Sequence, residues 1–275
     1  MDEIHIDELK IFANHGVLPF ENEKGQYFYV NAVLYLSTRK AGISDCLDDS
    51  VSYADVCGLI IKEMTEHTYK LIEAAAEHTV LKILEQYELL SAFSLEIRKP
   101  DAPVDAEFVS VSVKIKRNRH KAYIAFGSSE NYKEMSKEEL IDKALKLIDE
   151  DPFCRITERS SVMKSSPYGG VAKNEFLNGV ICIETFYEPE ELLAFLHETE
   201  KACGRERKEH WGDRTLDLDI IFYDDLVLRS SDLSIPHPDM ENRDFVLKPL
   251  CEIAAEHIHP LTGKTVRTIY TEHFR

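Results

Sequence analysis

Basic residues are scarce in this chain. Among 275 residues there are 33 Lys and Arg against 50 Asp and Glu, a formal net charge of −17. A surface so negative argues against nucleic acid or an anionic membrane as partner, since both demand a basic face. Any anionic ligand must therefore be met by positive charge gathered locally. The six cysteines, at 46, 57, 154, 182, 203 and 251, include no CxxC pair and read as reduced core residues. The start, MDEIHIDEL, has no basic segment or apolar h-region, and no apolar run is long enough to span a bilayer, so a cytoplasmic setting is expected. There is no GxxxxGK[ST] motif, which excludes a phosphate-cradling P-loop, and no internal repeat or low-complexity tract.

What is present has the length of about two domains. IHIDELKIFANHG and GQYFYVNAVLYLS alternate as strands, with Phe28, Val30, Ala32, Leu34 and Leu36 sharing one face. Two helices follow. Ser52 caps the first, with Asp55 three residues on, and KLIEAAAEHTVLKILEQY carries apolar residues at helical spacing. FSLEIRKP and SVSVKIKRN then complete a ββααββ unit over residues 1–118. The basic run KRNRHK marks a short, charged junction, read as a solvated seam. From 121 to 275 the order is β, α, β, β, α, β, with Ser136 and Glu139 forming a capping box and Pro189 opening the last helix. That order is the ferredoxin-like α+β plan, an antiparallel sheet with helices on one face, plus additions.

The stretch RTLDLDII sets two aspartates into a buried strand. Asp217 and Asp219 fall on one face, while Leu216, Leu218 and Ile220 fall on the other. Two carboxylates so close repel unless a cation lies between them, and Mg²⁺ is commonly held by such a pair together with substrate phosphates. A bare DxD is more often a solvated face. Here GRERKEHWGDR precedes it, supplying Arg205, Arg207, Lys208, His210, Trp211 and Arg214, and IPHPDMENRDF follows it with His237, Arg243 and Phe245. Clustered guanidiniums beside a metal-binding pair are what phosphoryl transfer requires.

Together with YIAFGSS and EFLNGVI, these blocks closely resemble 6-hydroxymethyl-7,8-dihydropterin pyrophosphokinase from about Tyr123 onward. The resemblance implies transfer of a pyrophosphoryl group from ATP to a hydroxymethyl-dihydropterin, releasing AMP. It further implies Mg²⁺ on Asp217 and Asp219, with Arg205, Arg207 and Arg214 on the phosphates. His237 and Arg243 fall to the nucleotide, and Glu200 and Lys208 join the ATP set by the same correspondence. Asn178 would bond the pterin, Phe176 and Phe245 would stack on its two faces, and Trp211 would line the site. Three positions depart from the family: His210 stands in place of Arg, Pro238 of an aromatic residue, and Phe176 of Tyr. These bear on affinity rather than on the reaction.

In the first half, Glu21 lies in what reads as a polar loop and Tyr53 starts a helix. Glu73 sits near the start of the next helix, where a carboxylate gains from free N–H groups, and Lys99 ends a strand before Pro100. Singly, Glu73 is ordinary dipole complementarity and Lys99 a solvated strand end. In combination, ANHGVLPFENEKGQ, VSYADV, LIEAAAEHT and LEIRKPDAPV resemble dihydroneopterin aldolase. This second resemblance implies a metal-free retro-aldol cleavage in which the dihydropterin C=N bond accepts the electrons. Glu73, with Ile72 beside it, would take the pterin edge. Lys99, helped by Glu21, would handle protons at the reacting side chain, and Tyr53 would serve the new hydroxymethyl carbon. It also implies a homo-oligomer, because a ββααββ sheet has open edges that other copies close. Two other readings stay open: a non-catalytic assembly scaffold, and a pterin-binding or epimerising unit.

Overall fold

The structure, a computed structural model, describes residues 1–166, 174–205 and 213–274. It divides into two compact units, Met1–Arg119 and His120–Arg275. Among the described residues no helix is long and apolar enough to cross a membrane.

In the first unit the order is β1 (Asp2–Ala13), α1 (Pro19–Lys24), β2 (Gln26–Leu36), α2 (Arg39–Ser44), α3 (Tyr53–Glu66), α4 (Ile72–Gln86), β3 (Ala92–Lys99) and β4 (Val111–Asn118). The strands pair antiparallel in the order β1-β2-β3-β4. Period-two alternation does what the sequence predicts: Phe28, Val30, Ala32, Leu34 and Leu36 are all buried. Each of the four larger side chains contributes roughly 1.5–3 kcal/mol by leaving water, and Ala32 less. Against that face lie α3, through Val56, Ile60 and Met64, and α4, through Ala76, Val80, Ile83 and Leu84. The Ser52 cap forms, its hydroxyl accepting from the Asp55 N–H at 3.3 Å.

Glu21 departs from the sequence-based expectation. It does not lie in an open polar loop but in the short helix α1, where it is buried. Pro19 presets the first turn, and the Glu21 carboxylate accepts the otherwise orphaned Leu18 N–H at 3.0 Å. Lys99 likewise is no solvated strand end; it is 8 % exposed.

The second unit runs β5 (His120–Ser128), α5 (Lys137–Asp149), β6 (Cys154–Arg159), β7 (Met163–Ser165), β8 (Phe176–Thr185), α6 (Pro189–Ala202), β9 (Asp217–Tyr223), α7 (Asp244–Ala254) and α8 (Val266–Phe274). Its antiparallel sheet has the order β6-β8-β5-β9, with β7 also pairing with β8. In strand succession that is second, third, first, fourth, the ferredoxin-like arrangement. The capping box at Ser136 and Glu139 is complete. The helices, however, occupy both faces. On one side α5 and α6 pack on Ile124, Phe126, Ile181 and Leu218. On the other, α7 and α8 cover Tyr123, Ala125, Val180 and Phe222. The nearly uninterrupted burial of β8 is the signature of a strand covered twice.

Candidate active sites

Strand β9 carries the first candidate site. Leu216, Leu218 and Ile220 enter the core beneath α5 and α6, which leaves Asp217 and Asp219 together on the opposite face. There they form one wall of a cavity of about 250 Å³, whose other walls include Phe176, Asn178, Arg214, His237, Arg243 and Phe245. Eight residues singled out from separate stretches of sequence thus meet in one cleft, delivered by β8, β9 and the segment entering α7.

The cleft's electrostatics follow from its pairs. Asp217 is bridged by Arg205 at 2.7 Å and by Arg214. Asp219 faces Arg243 at 3.7 Å and His237 at 4.0 Å. Desolvation, and after it the adjacent Asp217 carboxylate, pushes Asp219 up to about 6 despite the three arginines. Desolvation, then Arg243, holds His237 down at about 4, so its imidazole is neutral; its Nδ1 accepts from the Asp239 N–H at 3.2 Å. Asp239 also accepts from Arg243 Nε at 3.0 Å, which orients the guanidinium.

Two oxygen-donor carboxylates on one strand face, strained by mutual repulsion, fit a hard divalent cation completed by phosphates and water. They do not make a full protein cage, and among the described residues no group of three or more His, Cys, Asp or Glu side chains could hold a metal.

Asn178 forms part of the cavity wall at 5 % exposure, its Nδ2 donating to Ser165 Oγ at 2.8 Å. Ser165 and Gly127, which no motif marks as site residues, line the same cavity. A Cβ at Gly127 would sit 3.0 Å from Asn178 Oδ1, so glycine there leaves the amide its place. Glu200 does not line the cavity. It lies behind β9 at 2 % exposure, where it accepts from the Leu218 N–H at 2.8 Å and pairs with Arg205. Burial above all raises it to about 7. Its place is that of a support between the aspartates' strand and Arg205. Arg207, Lys208, His210 and Trp211 fall outside the described residues.

The second candidate site lies in the first unit. Lys99 Nζ donates to Glu21 Oε1 at 2.5 Å, with both side chains buried. Desolvation would raise the Glu21 carboxyl, but the hydrogen bond from Lys99, together with Leu18 N–H and Gln26, outweighs it and keeps it below its ordinary value. Glu73 occupies the first turn of α4, exposed, with Ile72 half-buried before it. Tyr53 opens α3 and is 63 % exposed. The pair Glu21–Lys99 is therefore assembled within one chain, whereas Tyr53 stands out from the surface. His15, which no local pattern singles out, is fully buried near this pair.

Comparison with known proteins agrees with this division. Residues 123–255 match the 7,8-dihydro-6-hydroxymethylpterin-pyrophosphokinase family model, and residues 4–116 match that of dihydroneopterin aldolase. The 2-amino-4-hydroxy-6-hydroxymethyldihydropteridine pyrophosphokinase of Haemophilus influenzae is 41 % identical over 139 residues, covering 50 % of this chain and 84 % of that protein. The bifunctional protein FolKE of Lactococcus lactis subsp. lactis is 46 % identical over 113 residues, covering 41 % of this chain and 32 % of its own. Folic acid synthesis protein FOL1 of Dictyostelium discoideum is 30 % identical over 287 residues, which is 94 % of this chain. The chain spans only 43 % of FOL1. Through its second unit the chain belongs to the 7,8-dihydro-6-hydroxymethylpterin-pyrophosphokinase family, and ahead of that unit it carries a match to dihydroneopterin aldolase.

Proposed function

We propose that this chain performs two successive steps of folate synthesis: retro-aldol cleavage of 7,8-dihydroneopterin, then ATP-dependent pyrophosphorylation of the 6-hydroxymethyl-7,8-dihydropterin so formed. The observation that carries the reading is the convergence, in one cavity, of the aspartate pair, three cationic or imidazole side chains and two aromatic rings. It gives a highly charged donor and a flat heterocycle adjoining places.

In the second unit Phe176, Phe245 and Asn178 take the pterin, and Arg205, Arg214 and Arg243 take phosphate oxygens. Bound Mg²⁺, on Asp217 and Asp219, would spread the negative charge of the triphosphate as the β-phosphorus is attacked. The pterin hydroxyl oxygen forms the new bond to that phosphorus and yields its proton to solvent, the α–β bridging bond breaks, and AMP leaves. Neutral His237 donates to phosphate or the leaving nucleotide without adding a full charge. Arg207 and Lys208 complete the phosphate-binding set in this proposal, with Trp211 at the pterin.

In the first unit Glu73 accepts from the pterin's N–H groups, next to Ile72. Lys99 and Glu21 manage the proton taken from the side-chain hydroxyl. The carbon–carbon bond then breaks, glycolaldehyde departs, and the electron pair enters the ring C=N bond before returning to capture a proton at the hydroxymethyl carbon. Tyr53 supplies or orders that proton. A buried, desolvated ion pair stabilises a fold no better than apolar side chains of similar volume, which disfavours the scaffold reading.

The site is completed between copies of the chain, with Tyr53 offered by one protomer to the Glu21, Glu73 and Lys99 of the next. Exposed apolar residues around Glu21, including Val17 at 65 %, Leu18 at 41 % and Phe20 at 49 %, support a covered surface there. Six free thiols suit a reducing, cytoplasmic compartment. The test is to supply each substrate separately: dihydroneopterin alone should yield glycolaldehyde, and hydroxymethyl-dihydropterin with MgATP should yield AMP. Failure of either arm removes that step.

A further inference from the structure

The buried His15 is connected on both sides of the aldolase site. Its Nδ1 accepts from the Tyr69 N–H at 3.2 Å, and the next residue, Gly16, donates its N–H to the Tyr69 carbonyl at 2.9 Å. These two bonds lash the segment leading into α1 to the segment leading into α4. Tyr69 is itself fixed from the other side: its ring stacks on His78 of α4 at 5.2 Å, and its hydroxyl donates to Glu63 of α3.

On the α1 side the lash reaches Glu21 directly. A Cβ at Gly16 would fall 2.4 Å from the Glu21 carboxyl carbon, and Gly16 has φ +152, so the carboxylate rests in space that only glycine leaves. Asn22 donates to the Gly16 and Asn14 carbonyls at 3.0 and 2.9 Å, and Asn14 returns a bond to the Asn22 carbonyl at 2.7 Å, which closes the loop on itself. The Phe28 ring lies near both, its centre 5.3 Å from that of the His15 ring and 5.9 Å from Lys99 Nζ.

A purely space-filling role does not account for His15. Its Nδ1 accepts, so the neutral ring carries its proton on Nε2, and that buried nitrogen has no partner among the described residues. An apolar ring would avoid the cost of the unsatisfied donor. Only the bond to Tyr69 repays the imidazole.

From this we infer that His15, Gly16 and Tyr69 form a positioning clamp that holds the Glu21–Lys99 pair at a set distance from the pterin anchor at Glu73, four residues beyond Tyr69. The inference rests on the retro-aldol reading of that pair. With the ring held by Glu73 and the side chain met by Lys99, the clamp fixes the span between anchor and reacting carbon. A small misplacement there slows chemistry without loosening the ring, so the loss falls on kcat and not on KM.

The test uses the full-length protein with three variants, the kinase activity of each preparation serving as the check that the chain is intact. His15→Leu removes the acceptor, Gly16→Ala forces the Glu21 carboxylate out of its seat, and His15→Asn keeps an acceptor near the Nδ1 position. Expected is a fall in aldolase kcat of roughly 10- to 100-fold for the first two, with KM for dihydroneopterin within about threefold of wild type. His15→Asn should recover most of kcat. Amide exchange at Tyr69 and Gly16 should quicken in His15→Leu while the β2 amides stay protected, a readout that holds even if that variant is poorly active. If the wild-type chain releases no glycolaldehyde, the reading fails and the clamp with it. If the wild type is active and both disruptive variants keep kcat within about threefold, or His15→Asn is as slow as His15→Leu, the clamp is overturned and the reading stands.

Discussion

Lys99 and Glu21 meet at 2.5 Å although 78 residues separate them, and both are almost wholly withdrawn from solvent. An ammonium and a carboxylate kept so dry stabilise each other only as a pair; take one away and the other is stranded.

Lys99→Met should therefore show two effects. Glycolaldehyde release should fall by roughly 10²- to 10⁴-fold, as for loss of a general acid or base. The first unit should also lose about 3 kcal/mol or more of stability from the orphaned carboxylate. The double variant Lys99→Met with Glu21→Gln should regain much of that stability and none of the activity. Urea titration followed by hydrogen exchange of β2 and β3 peptides, with AMP formation as the check on the second unit, measures both. Equal stability of the single variant and wild type would contradict the buried pairing.

Asp217→Asn and Asp219→Asn should each abolish AMP formation, measured across a wide range of Mg²⁺ concentration, while glycolaldehyde release persists. Both side chains share the face of β9 that forms the cavity wall, and loss of either leaves a single carboxylate for the cation. Near-normal turnover at low Mg²⁺ in either variant would remove the metal assignment.

His15 gives a pH prediction. Burial first, then the Lys99 ammonium, holds it down at about 4, against an ordinary value of 6.5. The folded form thus refuses a proton that the unfolded chain accepts. Its contribution is whole above pH 6.5 and is lost as pH falls toward 4, a loss of about 3 kcal/mol at most. Comparing wild type with His15→Asn in the same exchange-monitored urea titration at pH 7.5 and pH 5 should show a shallower acid loss in the variant. Parallel pH dependence would mean that His15 is protonated in the fold.

Much of this was legible in the sequence, for reasons that can be named. The face of β2 from Phe28 to Leu36 and the capping box at Ser136 are local patterns, and local patterns survive folding. The aspartate pair was legible because period two forces Asp217 and Asp219 to one side of a strand. Other features arise only from distant contacts. Glu21 looks like a loop residue until Lys99 and Gly16 are brought to it. The second helical layer of α7 and α8 is another such feature: an apolar run like that of β8 does not say which helix covers which face. Ser165 and Gly127 acquire meaning only through Asn178.

Tyr53, at 63 % exposure, and Glu73 should complement between protomers. Tyr53→Ala and Glu73→Ala chains, each inactive alone, should recover activity when co-assembled, because about a quarter of interfaces then draw an intact residue from each side. Mixed oligomers purified through two different tags and assayed for glycolaldehyde provide the measurement. No gain over either parent would place the whole site within one chain.

A single incubation shows whether one chain carries out both steps. Purified protein is given dihydroneopterin, ATP and Mg²⁺, with no hydroxymethyl-dihydropterin added, and glycolaldehyde and AMP are quantified over time. If one chain carries out both steps, both products accumulate and AMP approaches but never exceeds glycolaldehyde, since the second step draws its substrate from the first. Glycolaldehyde without AMP, or AMP formed in the absence of any glycolaldehyde, would contradict it.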